Sequence, residues 1–325
     1  MKKVLFVRDF KELTGGHLKV WHYYNHFKQI PGYNPVIYFT RDSVFNSINP
    51  WINEKIFFLD ELNSTNLDFD LIFLDGLDWE LVPRSLLDKL PVINLIQHVQ
   101  HAFKDNKRFK YLKQRAVRIC VGTEVEKAIK STGIVNGPIF TIPNGIDIEY
   151  LKRIKKPIKK RDIDLLIIGM KNWSMSKKFY YIIKSLKKFI SFYSSTFKLK
   201  NIVLLNLFIR REELLKYMAR SQITVYFPQK YEGFYLPALE GLILGTIVIC
   251  PDCIGNREFC VDKVNCFMPR YRLTDITISL MKLLKLNPTQ LETIKQNAIS
   301  IAKKHSLEME KEKLKEILFQ IRSKL

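Results

Sequence analysis

The sequence predicts an α/β protein built from two doubly wound domains. Three observations carry that expectation. Short, continuous apolar runs alternate with stretches of helical period, the pattern of a parallel sheet covered on both faces. The alternation fills residues 1–150, stops at a basic stretch, and then starts again. The 325 residues are too many for one ordinary core and suit two.

In chain order, KVLFV (3–7) reads as a first buried strand. TGGHLKVWHYYNHF (14–27) follows a glycine pair with apolar and aromatic residues at helical spacing. PVIYFT (35–40), DLIFLDG (70–76), PVINLIQH (91–98), RICVGT (118–123) and IFTIPNG (139–145) read as further strands, with helices in VPRSLLDKL (82–90) and EVEKAIKST (124–132). Residues 150–162, YLKRIKKPIKKRD, are expected to be an interdomain linker or a surface passage. The second domain repeats the theme with DLLIIG (164–169), a long helix over 177–193, NIVLLNLF (201–208), EELLKYMARS (212–221), ITVYFP (223–228), PALEGLILG (237–245) and TIVICPD (246–252). The charged tail, 274–325, reads as terminal helices. The expected domains are 1–150, 151–305 and a last helix at 306–325.

Composition narrows the function classes. No run of 18 apolar residues is present, so no transmembrane helix is expected. In MKKVLFVRDF, Arg8 and Asp9 cut the apolar stretch too short for a signal peptide, so the expected location is cytoplasmic. Five cysteines over this length do not make a disulfide scaffold. CPDC has the knuckle spacing of a zinc pair, but Cys250 ends an apolar run and the gaps to Cys260 and Cys266 do not repeat it. Small buried side chains are the expectation for all four, with no metal. The net charge is +21, and residues 151–220 hold 19 Lys and Arg against 4 Asp and Glu. Either these lysines form solvated helix faces, or they meet an anionic membrane surface or a phosphorylated substrate. No compact nucleic-acid motif accompanies them, so no nucleic-acid partner is expected.

The stretch YEGFYLPALEGLILGT (231–246) concentrates the chemistry. ITVYFP ends in a loop, Pro237 suits a first helical turn, and Gly245 suits the position after the last. Backbone N–H groups at such a helix start can hold phosphate. Glu240, about one turn in, can bond ribose hydroxyls, and Glu232, ahead of the helix, can face the other end of the same nucleotide sugar. The alternative is one loop acid and one helix-face acid with no ligand. His98 closes a strand and His101 follows it; a structural histidine and a ligand-facing one are both open readings at His98. His17, just after Gly16, is placed to meet acceptor or donor. His22 and His26 share a helix face without an HExxH context, so an amphipathic face is expected rather than a metal pair.

EGFYLPALE closely resembles the EGFGLPxLE stretch of retaining GT-B glycosyltransferases, the large family numbered four (glycosyl transferases group 1), with its E-x7-E signature at Glu232 and Glu240. IVICPDCIGNREFCVDKVNCFM is similar to that family's next strand and small-residue loop, with Gly255 and Glu258 in place. TIPNGID (141–147) resembles the motif that closes the first domain, and Gly15–Gly16 lies at the first-strand loop. The resemblance implies two Rossmann-like domains facing across a cleft, the first (1–150) on the acceptor side and the second (151–305) binding a nucleotide-diphosphate sugar donor, and no cofactor. It implies a glycan or lipid-linked acceptor of the cell-surface polysaccharide kind, which would place the protein peripherally on the inner face of the cell membrane.

The implied catalytic residues are Glu232, His98 and Lys177. The implied donor-binding residues are Gly15, Gly16, Gly169, Lys171, Lys178, Gly233, Phe234, Tyr235, Leu236 and Glu240. Glu232 would orient sugar hydroxyls rather than attack, and the departing phosphate would take the acceptor's proton. Three departures bear on this, one being that 325 residues is short for this fold, so some acceptor-side loops or helices are expected to be trimmed. The family's Gly-Arg is Gly169–Met170 here, leaving lysines, which are point charges rather than forks, for the diphosphate. Tyr235 replaces the last glycine of the turn, where it would crowd the sugar pocket or stack on a ligand. The rival readings are a non-catalytic nucleotide-sugar or polyanion binder on the same scaffold, a GT-B sugar epimerase, or an inverting transferase.

Overall fold

In the computed structural model the apolar runs become two parallel sheets. The structure describes residues 1–63, 68–158, 160–169, 199–205 and 209–321. The chain divides into two compact units, Met1–Gly145 with Leu307–Leu325, and Ile146–Ser306. The expected divisions fell at 150/151 and 305/306, and the last helix belongs with the first unit.

The first unit carries β1 (Lys2–Arg8), α1 (Gly15–Gln29), β2 (Tyr33–Phe39), β3 (Ile56–Phe58), β4 (Leu71–Asp75), α2 (Arg84–Lys89), β5 (Val92–Ile96), β6 (Val117–Cys120), α3 (Thr123–Lys130) and β7 (Ile139–Thr141). The strands pair in the order β3-β2-β1-β4-β5-β6-β7, all parallel. β4 and β5 are buried at every residue, which is why they read as unbroken apolar runs rather than as alternation. On one side of the sheet Leu5, Val7, Tyr38, Ile72, Leu74 and Trp79 form one core. The three-residue edge strand β3 was not singled out from the sequence, being too short to carry a period.

The second unit carries α4 (Ile148–Lys155), β8 (Ile163–Ile168), β9 (Ile202–Leu205), α5 (Arg211–Arg220), β10 (Ser221–Tyr226), α6 (Leu236–Leu244), β11 (Ile247–Ile249), α7 (Leu273–Leu284) and α8 (Pro288–Lys303). Its described strands pair in the order β11-β10-β8-β9, again parallel. α9 (Leu307–Gln320) returns to the first unit. The expected helix over 177–193 lies outside the described residues.

One expectation is corrected. Residues 150–162 are not simply a linker, because α4 occupies their first half. Asp147 caps it by accepting from the Tyr150 N–H at 2.8 Å, and Leu151 is fully buried beneath it. Lys152 and Arg153, two of the basic residues that suggested a linker, are exposed on the rest of the helix surface. Among the described residues no helix is long and apolar enough to cross a membrane. All five cysteines are buried free thiols, and among the described residues no group of three or more His, Cys, Asp or Glu is arranged to hold a metal.

Candidate functional site

β10 delivers the chain to the carboxyl edge of the second sheet, and α6 carries it back. Residues 228–235 make the turn between them, and a second loop, after β11, holds that turn in shape. The Glu232 N–H donates to the Cys253 carbonyl at 3.0 Å, and the Tyr235 N–H donates to the Gly255 carbonyl at 3.0 Å. Gly255 is required here by contact: a Cβ would lie 2.8 Å from Phe234 N and 2.9 Å from Glu232 Cβ. Fully buried Asn256 fixes the second loop, accepting from the Cys253 N–H at 3.1 Å and donating to the Pro251 carbonyl at 3.0 Å. The same loop keeps Ile254 at φ +68°, a costly conformation for a β-branched residue.

Glu232 is half-buried on this turn, and its Oε1 accepts from the Gln229 N–H at 3.2 Å. Burial pushes its pKa up to about 6 despite that bond. Gly233 and the ring of Phe234 are buried, and Phe234 packs on Phe259 at 5.2 Å, so its side chain belongs to the interior. Tyr235 is half-buried and stands edge-on to Tyr226, with centroids 5.9 Å apart. Leu236 begins α6 as the sequence predicts. The helix start has no side-chain cap and no acid in its first turn, and Gly245 ends the helix at φ +78°. Arg161 Nη2 donates to the Leu244 carbonyl at 2.6 Å and closes the other end.

Glu240 lies a turn inside α6, is 2% exposed, and forms an ion pair with Arg211 at the start of α5. The Arg211 guanidinium lies over the Tyr150 ring at 5.6 Å. Sequence reading missed Arg211 because it stands 29 residues upstream on a different helix. It missed Asn256 because a buried asparagine in a loop leaves no spacing signal. Gly169 closes β8, with its N–H donating to the Leu205 carbonyl at 2.9 Å. Lys171, Lys177 and Lys178 lie outside the described residues.

The remaining predicted residues sit on the first unit. Gly15 and Gly16 open α1, which Thr14 caps by accepting from the His17 N–H, and the Gly16 carbonyl accepts from Gln97 at 3.1 Å. His98 Nδ1 accepts from the Gln100 N–H at 3.1 Å, so the proton of the neutral ring is on Nε2. Burial, with Arg108 second, pushes its pKa down to about 4. The lowered value keeps the ring neutral near pH 7. His26 is buried against Glu310, and His22 lies 3.2 Å from Lys19, so neither has the setting of a metal ligand. Arg8, Asp75 and Asp78 form a buried charged group at the carboxyl edge of the first sheet that sequence reading passed over. Asp75, a carboxylate ending an apolar strand, was the available signal.

Residues 147–300, just under half of the chain, match the family model described as glycosyl transferases group 1. No curated protein matches the sequence. Among solved structures, sucrose-phosphate synthase from Thermosynechococcus elongatus superposes with a TM-score of 0.72 at 12% identity, covering 100% of both chains. HepE from Anabaena, in complex with UDP and glucose, gives 0.70 at 14% identity, covering 98% of this chain and 100% of that one. A glycosyltransferase from Rickettsia africae gives 0.66 at 13%, covering 98% of each. At these identities the likeness is one of fold, the GT-B α/β fold. Taken with the family match, it supports a GT-B glycosyltransferase.

Proposed function

We propose that the chain transfers a sugar from a nucleoside-diphosphate donor to a glycan or lipid-linked acceptor, with retention and without a metal ion. The observation that carries the reading is the turn-and-helix unit at the end of β10. It sets a half-buried acid, an uncapped helix start and a buried acid along one path.

In this reading the diphosphate lies at the start of α6, where the helix dipole favours negative charge. Gly169 lets the chain approach it, and Lys171, Lys177 and Lys178 add positive charge as the bond breaks. Glu232, ionised at neutral pH, accepts from sugar hydroxyls and orients the ring. Gly233, Phe234, Tyr235 and Leu236 contribute backbone around it, and Gly15 and Gly16 are further donor-binding residues in this reading. His98 donates from Nε2 to the donor sugar. The departing phosphate takes the acceptor's proton, so no further base is needed. Glu240 accepts from the ribose hydroxyls, sharing itself between them and Arg211.

A thermal-shift panel of nucleotides and nucleotide sugars tests this, with UDP-glucose first because HepE is seen with it. A bound donor raises the melting temperature by mass action. No rise with any member would sink the reading. The pairing of Glu240 with Arg211 favours a second reading, a binder without turnover; slow donor hydrolysis would exclude it, and an epimerised donor would point to an epimerase. The excess charge over 151–220 supports docking on the inner face of the membrane, each facing lysine adding about 1 kcal/mol. Salt-sensitive sedimentation with anionic but not neutral vesicles is expected, and equal behaviour toward both would leave only solvated helix faces.

A further inference from the structure

β5 and β6 are parallel neighbours, and residues 97–116, all described, join them by tight turns rather than by an α-helix. The connection contains short 3₁₀ segments at Val99–Ala102 and Phe109–Lys113. Its backbone bonds span three residues. The Asn106 N–H donates to the Phe103 carbonyl at 3.0 Å, Phe109 to Asn106 at 2.9 Å, Tyr111 to Arg108 at 3.1 Å and Gln114 to Tyr111 at 3.1 Å. Such turns bring side chains three residues apart onto one side. Lys104, Lys107, Lys110 and Lys113 stand at that spacing, and all four are exposed. Exposed Arg115 extends the row to the start of β6. Leu112 faces the other way and is buried, with Phe109 half-buried beside it.

A buried arginine fixes this connection. Arg118 on β6 is fully buried, and its guanidinium lies over the Trp79 ring at 5.6 Å. Its Nη2 donates to the carbonyls of Tyr111 at 2.9 Å, of Leu112 at 3.1 Å and of Gln114, and its Nη1 donates to Asn94 Oδ1 at 3.0 Å. Tyr111 in turn stacks on Trp79, with centroids 5.6 Å apart. The lysines therefore stand on a backbone that is already ordered, and a ligand has only their side chains to order. Little of their charge is neutralised. Lys110 pairs with Glu80 at 3.2 Å. Lys104, Lys107, Lys113 and Arg115 have no ion pair among the described residues, and Asp105 is the one acid within 103–115.

We propose that this row docks an acidic glycan chain, a linear polymer with a carboxylate recurring along it. At a rise of about 2 Å per residue, neighbouring lysines are about 6 Å apart and the four span about 18 Å. The complement of such a row is a line of negative charge rather than a single anion. An anionic bilayer is met by lysines mixed with exposed apolar side chains, and within 103–115 only Phe103, at 38%, is a large exposed apolar residue. A single-stranded nucleic acid stacks its bases on exposed rings, whereas Tyr111 lies on Trp79 and Phe109 is half-buried. The row starts after β5 ends and finishes where β6 begins, so it leads away from the carboxyl ends of the strands. It guides the body of a charged acceptor chain and not the sugar that reacts. The inference deepens the transferase reading, by giving the acceptor a charge class, and rests on it.

Calorimetry on the full chain with hexagalacturonate, and with its methyl ester as the uncharged control, tests the proposal. The acid should bind at low salt, the ester should not, and added salt should weaken the binding by screening. Lys104→Ser, Lys107→Ser and Lys113→Ser together should weaken it about tenfold, because each exposed ion pair contributes little and the row acts by summation. Lys282→Ser, Lys285→Ser and Lys303→Ser together remove the same charge from exposed sites on the second unit, and should change it less than about twofold. No binding of the acid, equal losses in the two triple variants, or sedimentation with anionic vesicles that only the first triple variant abolishes would overturn the proposal. Nucleoside-diphosphate affinity, read on the same wild-type sample, keeps the two readings apart. Its presence without hexagalacturonate binding sinks only this row, and its absence sinks the transferase.

Discussion

Two buried carboxylates, Glu310 in the first unit and Glu240 in the second, are each held by a cation from another helix, yet their surroundings differ. Glu310 on α9 accepts from Lys19 at 2.7 Å and lies 3.1 Å from His26 Nε2, both on α1. Lys19 also donates to the Gly145 carbonyl at 3.1 Å, and neither member of the ion pair has any side-chain exposure. Glu240 is nearly as deep, but its partner Arg211 keeps 31% of its side chain in water. The first pair is closed and can only hold the last helix in place. The second is open on one side, beside an uncapped helix start, so a ligand can compete for it.

Breaking the closed pair should have the largest effect. Glu310→Ala leaves the Lys19 ammonium buried without its carboxylate, which typically costs about 3–5 kcal/mol. Urea unfolding should show that loss, while nucleoside-diphosphate affinity in the folded fraction stays as in wild type. Burial alone would raise the Glu310 pKa, but Lys19 and His26 outweigh it and hold it below the ordinary carboxylate value. Its contribution is therefore present at neutral pH and fades as pH falls through that lowered value. A Glu310→Ala protein of wild-type stability would show that the closed pair holds nothing.

The open pair should respond in the opposite sense. Glu240→Ala leaves a guanidinium that can turn toward water, so the stability loss should be the smaller of the two. Affinity for nucleoside diphosphate should fall by about 1.5–3 kcal/mol, and for the sugar donor equally. Arg211→Ala should not weaken it to that extent, because the ribose would then have Glu240 to itself. Calorimetry on both variants decides the matter. Unchanged affinity in Glu240→Ala, or an equal fall in both, would make the second pair as structural as the first.

The same contrast marks how far the sequence could be read. The turn, the helix limits at Leu236 and Gly245 and the acid at Glu240 lie within one contiguous stretch, where local propensity, capping and close approach all act over a few residues. Arg211, the partner that decides what Glu240 is free to do, arrives from another helix. Lys19 and Glu310 are 291 residues apart, and each alone reads as a surface charge on a helix. The alternation that predicted two parallel sheets survived because strands such as β4, β5, β6 and β11 are buried along their length, whereas β3 is too short to show a period. α4 was hidden by its own lysines, which masked the cap at Asp147 and the buried Leu151.

The smallest effect concerns Glu232, half-buried on the turn ahead of α6. Burial raises its pKa from 4.5 to about 6, against the one backbone bond from Gln229 that lowers it. Between those values the folded chain holds the proton more tightly than the unfolded chain does, so its contribution to stability falls as pH rises through the window. A shift of this size corresponds to at most about 2 kcal/mol, and to less for a side chain that water partly screens. Glu232→Gln carries no such proton. Its stability relative to wild type should therefore improve between pH 4 and pH 7, by about 1 kcal/mol. Activity should move the other way. Accepting from sugar hydroxyls needs the carboxylate, so wild-type turnover should rise through about pH 6, and the variant should lose that limb along with most of its kcat. A loss made only in the transition state lowers kcat and kcat/KM together and leaves nucleoside-diphosphate affinity untouched. Wild-type turnover in Glu232→Gln, with the same acid limb, would assign both the rate and its pH dependence to another group.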